Sequence, residues 1–390
     1  MAKHRRSSTA LAIFSVLLTI PHLVTATEPV APESDDGFWS QFKDPEDGKF
    51  DMSQFLLENF AGFMPVPIII TEPAVEDGIG LAGIFFHDPK PDQMQPDENG
   101  KVILPNISVA GAALTGNDSW LVGGGHFRNW SEDEYRYRAL GGIADVNLDW
   151  YPGDDSALPD NGIRFNVKGA MIDQSFYVRM GRSEWLLGAA WRYSNSELSF
   201  PDIAPPGLTE SETSVSGISA ISLYENLDFQ MSPRKGLRFE FKAEFNRDAF
   251  GSDFNYEQYS WEIRQYFEFA HKWTLAWRLD GASIDGEAPF YFEPFVRIQG
   301  IPAMRYRGPT AATFEVRGGY DLTPRWTLNA FGGGGRAADS LSEMSSSDTH
   351  TAVGAGFRYL VARAVGMRVG VDLARGPEGT YAYLVVGSAW

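Results

Sequence analysis

Few side chains in this sequence have the type and spacing that catalysis or metal binding requires. Six histidines are spread along the chain, and two of them, His4 and His22, lie in the N-terminal leader. No H-E-x-x-H motif or close pair remains among the others, so a zinc site is not indicated. The chain contains no cysteine, which excludes a disulfide framework and thiolate ligands. We therefore expect neither a metal nor another cofactor.

Three other patterns resemble functional motifs only in part. The acidic stretch 44–48 with Asp51 resembles part of a calcium loop, but Phe55 stands where the closing glutamate would be, so a solvated acidic linker is favoured over calcium. The glycine run 332–335 lacks the Lys-Ser/Thr of a phosphate loop and favours a strand bend or close packing. No Gly-x-Ser-x-Gly motif occurs. We expect no enzyme, although a triad on a barrel wall needs no local motif.

Composition narrows the class of protein. The 390 residues carry 51 acidic and 33 basic side chains, a net charge of −18, which argues against a nucleic-acid partner. Aromatic residues make up 14% of the chain, yet the mean hydropathy is −0.24. That combination is typical of a sheet that is apolar on one face only.

The N-terminal region has the composition of an export signal. Basic residues at positions 3, 5 and 6 precede the apolar stretch 10–23, and Ala26 ends a plausible cleavage site, which predicts a signal peptide at 1–26. No later apolar run approaches the roughly 20 residues of a membrane helix. We expect residues 27–64 to form an acidic linker and a short helix with Asp51 as its N-cap, and residues 65–390 to form a β-barrel.

Alternation with a period of two residues is the strongest structural signal. In the run 237–245, one face carries leucine, phenylalanine and alanine, whereas the other carries arginine, glutamate and lysine. The runs 259–269 and 272–280 alternate in the same way. Outward apolar side chains facing lipid and inward polar ones facing a wet lumen produce this pattern in a transmembrane barrel. The sheet must close, because backbone groups cannot stay unpaired in hydrocarbon.

The pattern predicts an all-β protein, a transmembrane antiparallel barrel of sixteen strands, the first at 65–72 and the last at 379–390. A long segment at about 284–308 remains unpaired, and a loop of that length is usually functional. The first strand carries Pro65 and Pro67 and is followed by Pro73, so it lacks ladder donors. We therefore expect a weakly bonded seam, with strand one near Val66 meeting strand sixteen near Val385.

Three segments resemble bacterial surface-antigen barrels of the BamA/TamA superfamily of outer-membrane assembly factors. The stretches 62–75 and 80–87 are similar to the opening of such barrels, residues 299–308 to their loop six, and residues 386–390 to their closing strand. Five candidate strands follow the loop, as in the family. We expect no POTRA domains of the kind that the assembly factors carry, because the segment expected at 27–64 is too short to hold one.

The resemblance implies a loop that folds into the lumen and an arginine that meets acids of the barrel wall. Gln299 stands at the position of the family arginine, so Arg297, Arg305 or Arg307 is expected to replace it. The remaining loop-motif residues are Gly300, Pro302, Tyr306 and Gly308, and the candidate wall acids are Glu315, Asp321 and Asp372.

The resemblance also implies an insertion signal at the end of the chain. Its residues are Tyr383, Val386, Gly387 and Trp390, and the barrel assembly machinery is expected to recognise them. Alternation places Trp390 on the lipid-facing side with Leu384 and Val386.

The implied location is the outer membrane of a Gram-negative bacterium. The implied function is outer-membrane assembly, protein insertion or export. A passive pore or structural barrel is the alternative, and an outer-membrane hydrolase is a weaker one. Expected partners are outer-membrane lipid, the assembly machinery during biogenesis and unfolded outer-membrane protein clients, without nucleic acid.

Overall fold

The computed structural model describes residues 40–55, 63–87, 106–131, 133–151, 162–202, 204, 207–229, 232–363, 366–387 and 390. The expected signal peptide and most of the expected linker lie outside these ranges. Short 3-10 turns occupy Ser40–Phe42, Asp248–Phe250 and Phe290–Phe292. In the described ranges, no helix is long and apolar enough to cross a membrane.

Sixteen strands form one antiparallel sheet in which each strand pairs with its sequence neighbours. The predicted barrel of sixteen strands is therefore confirmed. The strands are β1 Phe63–Glu72, β2 Glu76–His87, β3 Asn106–Thr115, β4 Trp120–Trp130, β5 Tyr135–Trp150, β6 Ile163–Arg179, β7 Trp185–Ser199, β8 Ser211–Glu225, β9 Gly236–Asn246, β10 Tyr256–Phe269, β11 Trp273–Gly286, β12 Thr310–Asp321, β13 Trp326–Ala338, β14 His350–Ala362, β15 Met367–Arg375 and β16 Thr380–Val386.

The strands β9 to β11 show why the sheet closes around polar side chains. Glu240 pairs in register with Glu262, which in turn pairs with Asp280, so the three carboxylates share one face. Phe241 and Phe267 on the alternate face are exposed, as expected for residues that meet lipid. The alternation read from the sequence therefore fixes which side of these strands faces the lumen.

The lumenal wall has two chemically different halves. The strands β7 to β15 carry buried charges such as Glu244, Glu315 and Asp372. The lumenal faces of β2 to β6 instead carry mainly glycine, alanine, valine and leucine around a cavity. The expectation that inward side chains are polar is thus wrong around this cavity, where the lumenal positions of β2 to β6 are apolar.

The last strand is shorter than the sequence pattern predicts. It ends at Val386 because Gly387 adopts a left-handed conformation with φ of 78°. Trp390 lies 6.0 Å from the ring of Tyr266 and 5.8 Å from the guanidinium of Arg278, both of which point into the lumen. The prediction that Trp390 faces lipid is therefore wrong, since the turn at Gly387 breaks the alternation.

Candidate functional site: the lumenal loop and the seam

The segment between β11 and β12, residues 287–309, forms a hairpin that folds into the lumen. The Val296 amide donates to the Tyr306 carbonyl (2.9 Å), and the Gly308 amide donates to the Pro294 carbonyl (3.1 Å). At the hairpin tip, Pro302 accepts a hydrogen bond from the Arg305 amide (3.2 Å). The predicted inward-folding loop is confirmed.

The loop tip is bonded to the two strands that border the seam. The Gly300 amide donates to the Tyr383 hydroxyl of β16 (2.9 Å), and the Ala303 amide donates to Glu72 Oε1 of β1 (3.0 Å). Gly300 has φ of 103°, and a Cβ there would lie 3.1 Å from the Cβ of Ala352. Glycine is required at this position for both reasons.

None of the three loop arginines reaches the acids proposed from the sequence. Arg297 lies 3.2 Å from Asp280, and its side chain is 51% exposed. Arg305 contacts Glu378 (3.1 Å), which lies in the loop before β16 and also accepts a hydrogen bond from the Tyr306 hydroxyl.

Arg307 bonds within the loop itself. Its Nη1 donates to Glu293 Oε2 (2.6 Å), and its guanidinium lies 5.2 Å from the Phe290 ring. This ion pair holds the two arms of the hairpin together and directs the guanidinium to an acid of the loop, not to an acid of the wall.

Besides the Arg297–Asp280 contact, in which the loop supplies the arginine, a second link between loop and wall uses an arginine of the wall. Arg317 of β12 donates to Gln299 Oε1 (2.8 Å), to Asp372 Oδ2 (2.9 Å) and to Glu315 Oε1 (3.1 Å). The family pattern of a loop arginine and wall acids is thus reversed at this contact, because the loop supplies an amide. Arg317 was missed from the sequence, although alternation places it on the same face as Glu315.

Asp372 is the centre of this buried cluster. It is fully buried and accepts both terminal nitrogens of Arg358 (2.7 Å each), one of Arg317, and the Asn329 amide (3.0 Å). Asp321 takes no part in it. It accepts from Arg234 (2.8 Å) and from Thr327 (2.5 Å), away from the loop, so it is excluded as the loop's partner.

The predicted insertion signal is divided between two faces of the barrel. Val386 is exposed on the outer face, whereas Tyr383 bonds the loop and Trp390 stacks within 6.0 Å of Arg317. Its recognition by the assembly machinery remains a prediction, and in the folded barrel the aromatic members are occupied by lumenal contacts.

The acidic segment before β1 encloses an arginine. Arg325, in the turn between β12 and β13, is fully buried and bonds Asp44, Asp47 and Asp51. Arg363 adds ion pairs to Asp44 and Asp47 (3.1 Å each). The expectation of a solvated linker is wrong for these residues: the carboxylates that resemble calcium ligands surround a guanidinium.

The predicted helix cap is present in part. Asp51 Oδ1 accepts the Ser53 amide (2.6 Å), and residues 53–55 are helical, while the rest of the predicted helix lies outside the described residues. The Met52 amide also donates to the Val361 carbonyl (2.7 Å). The segment 41–55 is therefore fastened to one end of β14 by backbone as well as charge.

Acid is expected to release this segment. The Arg325 hydrogen bond lowers the pKa of Asp47 from 3.8 to about 2, and the pKa of Asp51 is also lowered, because hydrogen bonds from Ser53 and Arg325 outweigh its burial. Since the folded pKa values lie below the unfolded ones, the stabilisation is complete above about pH 4 and is lost as the pH falls toward 2. Hydrogen exchange of a peptide covering 41–55 should accelerate in that window.

The control for this titration is a peptide from β6, whose exchange should not change over the same range. Release above pH 5 would contradict the assignment to lowered carboxyl pKa values.

The seam between β1 and β16 lacks a strand ladder in the part of the chain that the structure describes. A hydrogen bond from the Leu384 amide to Thr71 Oγ1 (3.3 Å) joins the two strands. Because antiparallel neighbours run in opposite directions, only Val385 and Val386 remain opposite the residues before Thr71. The predicted weak seam is confirmed, but Val66 does not face Val385, since the bond between Leu384 and Thr71 sets a register that places Val385 near Ile70.

A serine between two histidines on the outer face is the contact to test against the hydrolase alternative. Ser108 Oγ lies 2.8 Å from His87 Nε2 and 2.9 Å from His126 Nδ1, on the face shared with exposed Phe85 and Leu114. In the described residues, neither imidazole has a carboxylate partner of the kind that orients histidine in serine hydrolases. The contact assigns no reaction.

Comparison with known proteins agrees with this geometry. Residues 154–293 match the model of the Omp85 superfamily domain. The match covers about a third of the chain, and the sixteen strands, the inward loop and the seam without a strand ladder make the whole barrel similar to Omp85-type barrels of the outer membrane.

Solved structures have the same fold. BamA from Haemophilus ducreyi lacking POTRA domains 1–3 is 10% identical with a TM-score of 0.54, over 84% of this chain and 70% of that one. CdiB from Acinetobacter baumannii (8% identity, TM-score 0.55) and CdiB from Escherichia coli (10%, 0.56) match over 83% of this chain. This chain spans only 59% and 61% of those two proteins. A search of curated proteins finds no match.

Proposed function

We propose that this barrel assembles, inserts or exports other proteins at the outer membrane, and that it does so through the β1–β16 seam. The observation that carries the proposal is the edge of β1, which has no ladder partner among the described residues. A bare edge is a template on which another strand can pair. The clients would be unfolded outer-membrane proteins, whose strands must acquire ladder bonds before they face lipid.

Several contacts support a seam that opens without unfolding the barrel. β1 pairs with β2 along its whole length, from Phe63 opposite Phe85 to Glu72 opposite Glu76, so the edge strand is held from one side. Pro65 and Pro67 lie two residues apart, so both missing donors fall on the same edge of the strand. The loop tip bonds Glu72 of β1 and Tyr383 of β16, so separation of the two strands would break one or both bonds.

Locking the seam is expected to stop activity. In the variant Thr71→Cys/Leu384→Cys, an oxidised disulfide would join the outer faces of β1 and β16; the native chain has no cysteine to interfere. We expect the locked barrel, reconstituted in vesicles, to lose its acceleration of the folding of a urea-denatured outer-membrane barrel protein, and reduction to restore it. Folding would be followed by the gel shift of the heat-modifiable product.

The matched control is Ile79→Cys/Leu114→Cys, an outward pair already joined in the β2–β3 ladder, which should keep full activity when oxidised. Equal activity of the locked and reduced seam variants would contradict the proposal. If such barrels also carried a large, steady current in planar bilayers, the passive pore would be the correct function.

A further inference from the structure

A large cavity lies inside the barrel beside the seam. It has a volume of about 710 Å³, bounded by the walls of β2 to β7 and capped by Tyr291 and Phe292 of the lumenal loop. Its size is within the range of small-molecule sites, which is about 300–1,000 Å³. Its lining is almost entirely apolar, unlike the charged wall on the other side of the lumen.

Several apolar side chains of this wall are exposed to the lumen. Leu121, Leu140 and Met171 face the lumen, yet they are 50%, 45% and 46% exposed. Their orientation follows from register: Leu140 pairs with Asp173, whose carboxylate meets the lumenal Arg192 (3.1 Å). Apolar surface left in water is unfavourable in proportion to its area, so an apolar occupant would bind here with a large gain.

Glycines in the wall leave the cavity open, and neighbouring strands pack too closely for larger residues at the same positions. A Cβ at Gly142 would lie 2.7 Å from the Val122 carbonyl, and one at Gly169 would lie 2.2 Å from the Asn195 carbonyl. Neighbouring strands therefore approach too closely for a side chain at these positions, and the space stays open to a ligand.

The cavity reaches the part of β1 that has no partner in β16. Ile68 lines it, and Ile68 precedes Thr71, at which the described bond to β16 is made. A molecule in the surrounding bilayer thus has a short apolar route between the two strands. The compound that is both apolar and abundant at this place is membrane lipid.

We propose that this cavity binds an acyl chain of a membrane phospholipid, which enters from the bilayer through the open part of the seam. The polar rim, where Ser196 Oγ lies 3.0 Å from the Tyr291 hydroxyl, can hydrogen-bond an ester or headgroup oxygen. The bound chain covers the exposed leucines and methionine and holds the loop cap in place.

The test uses the full barrel in phospholipid vesicles that contain a phosphatidylethanolamine with a photoactivatable diazirine in one acyl chain. After illumination, labelled peptides are identified by mass spectrometry. We expect label on the lumenal residue Met171 as well as on outward residues such as Ile172. No client protein is present, so failure here leaves the proposed function untouched.

A cavity-filling variant makes the test specific. Ala144→Phe places a ring in the cavity and should reduce the lumenal label about tenfold, because the ring displaces several methylene groups. Ala110→Phe, on the exposed outer face, should leave it unchanged. Outward label should be equal in all variants, and heat-modifiable mobility would show that each is folded.

The oxidised Thr71→Cys/Leu384→Cys variant should slow lumenal labelling if the seam is the route. Label confined to outward residues, or lumenal label that Ala144→Phe does not reduce, would overturn the proposal. So would labelling of Met171 by a diazirine-bearing unfolded barrel polypeptide but not by lipid, which would assign the cavity to client chains.

Discussion

Asp372→Ala is expected to lower the unfolding free energy of the barrel by about 3–5 kcal/mol, since breaking a buried ion pair leaves uncompensated charge. The change removes the only carboxylate that the described contacts give Arg358 and one of two that they give Arg317. Both guanidiniums are largely buried. Urea unfolding in vesicles, followed by tryptophan fluorescence, would measure the loss.

Arg297→Ala is the matched control from the loop. Its half-exposed guanidinium makes an ion pair of the kind worth about 0–1 kcal/mol, so the barrel should stay nearly as stable as the parent. A larger loss for Arg297→Ala than for Asp372→Ala would show that the loop arginine, and not Arg317, holds loop and wall together.

Arg325→Met is expected to detach the segment 41–55 from the barrel. Removing the guanidinium takes away the arginine that pairs with the buried Asp44 and Asp51, a local penalty of about 3–5 kcal/mol. Hydrogen exchange of the segment and its cleavage by added protease should both accelerate. The unfolding midpoint of the barrel should change little, because the strand ladders do not pass through this segment.

The control is Arg363→Met, which removes a more exposed arginine from Asp44 and Asp47 and should have a smaller effect. If instead the barrel itself lost stability with Arg325→Met, the arginine would have to be assigned a role in the β12–β13 turn. Unchanged exchange at 41–55 would mean that the remaining contacts, such as the Met52 backbone bond and the Arg363 ion pairs, fasten the segment without Arg325.

The loop, the seam and the cavity meet at the same strands. The loop tip bonds Glu72 and Tyr383 on either side of the seam, while Tyr291 and Phe292 of the same loop cap the cavity. Opening the seam would therefore break the bonds of the loop tip. A molecule bound in the cavity would contact the same loop at Tyr291 and Phe292. The Arg317–Gln299 contact anchors the loop to the wall on the far side.

The sequence by itself determined the architecture. Alternation in β9 to β11 depends only on neighbouring residues, since successive side chains on a strand point to opposite faces, so strand number and lumenal face could be read directly. Prolines in β1 likewise predicted a weak seam, because the missing donors are a local property. The inward loop and the family resemblance followed from the order of segments along the chain.

Only the tertiary structure decided which charges meet. The sequence could not tell that Gln299 lies against Arg317, because that contact depends on how the loop folds into the lumen. It also could not tell that Asp44, Asp47 and Asp51 enclose Arg325, because these partners are far apart in the chain. It also could not tell that Trp390 turns into the lumen, since a single left-handed residue at Gly387 redirects the chain. Pairing across a closed sheet depends on register and curvature, which no local pattern encodes.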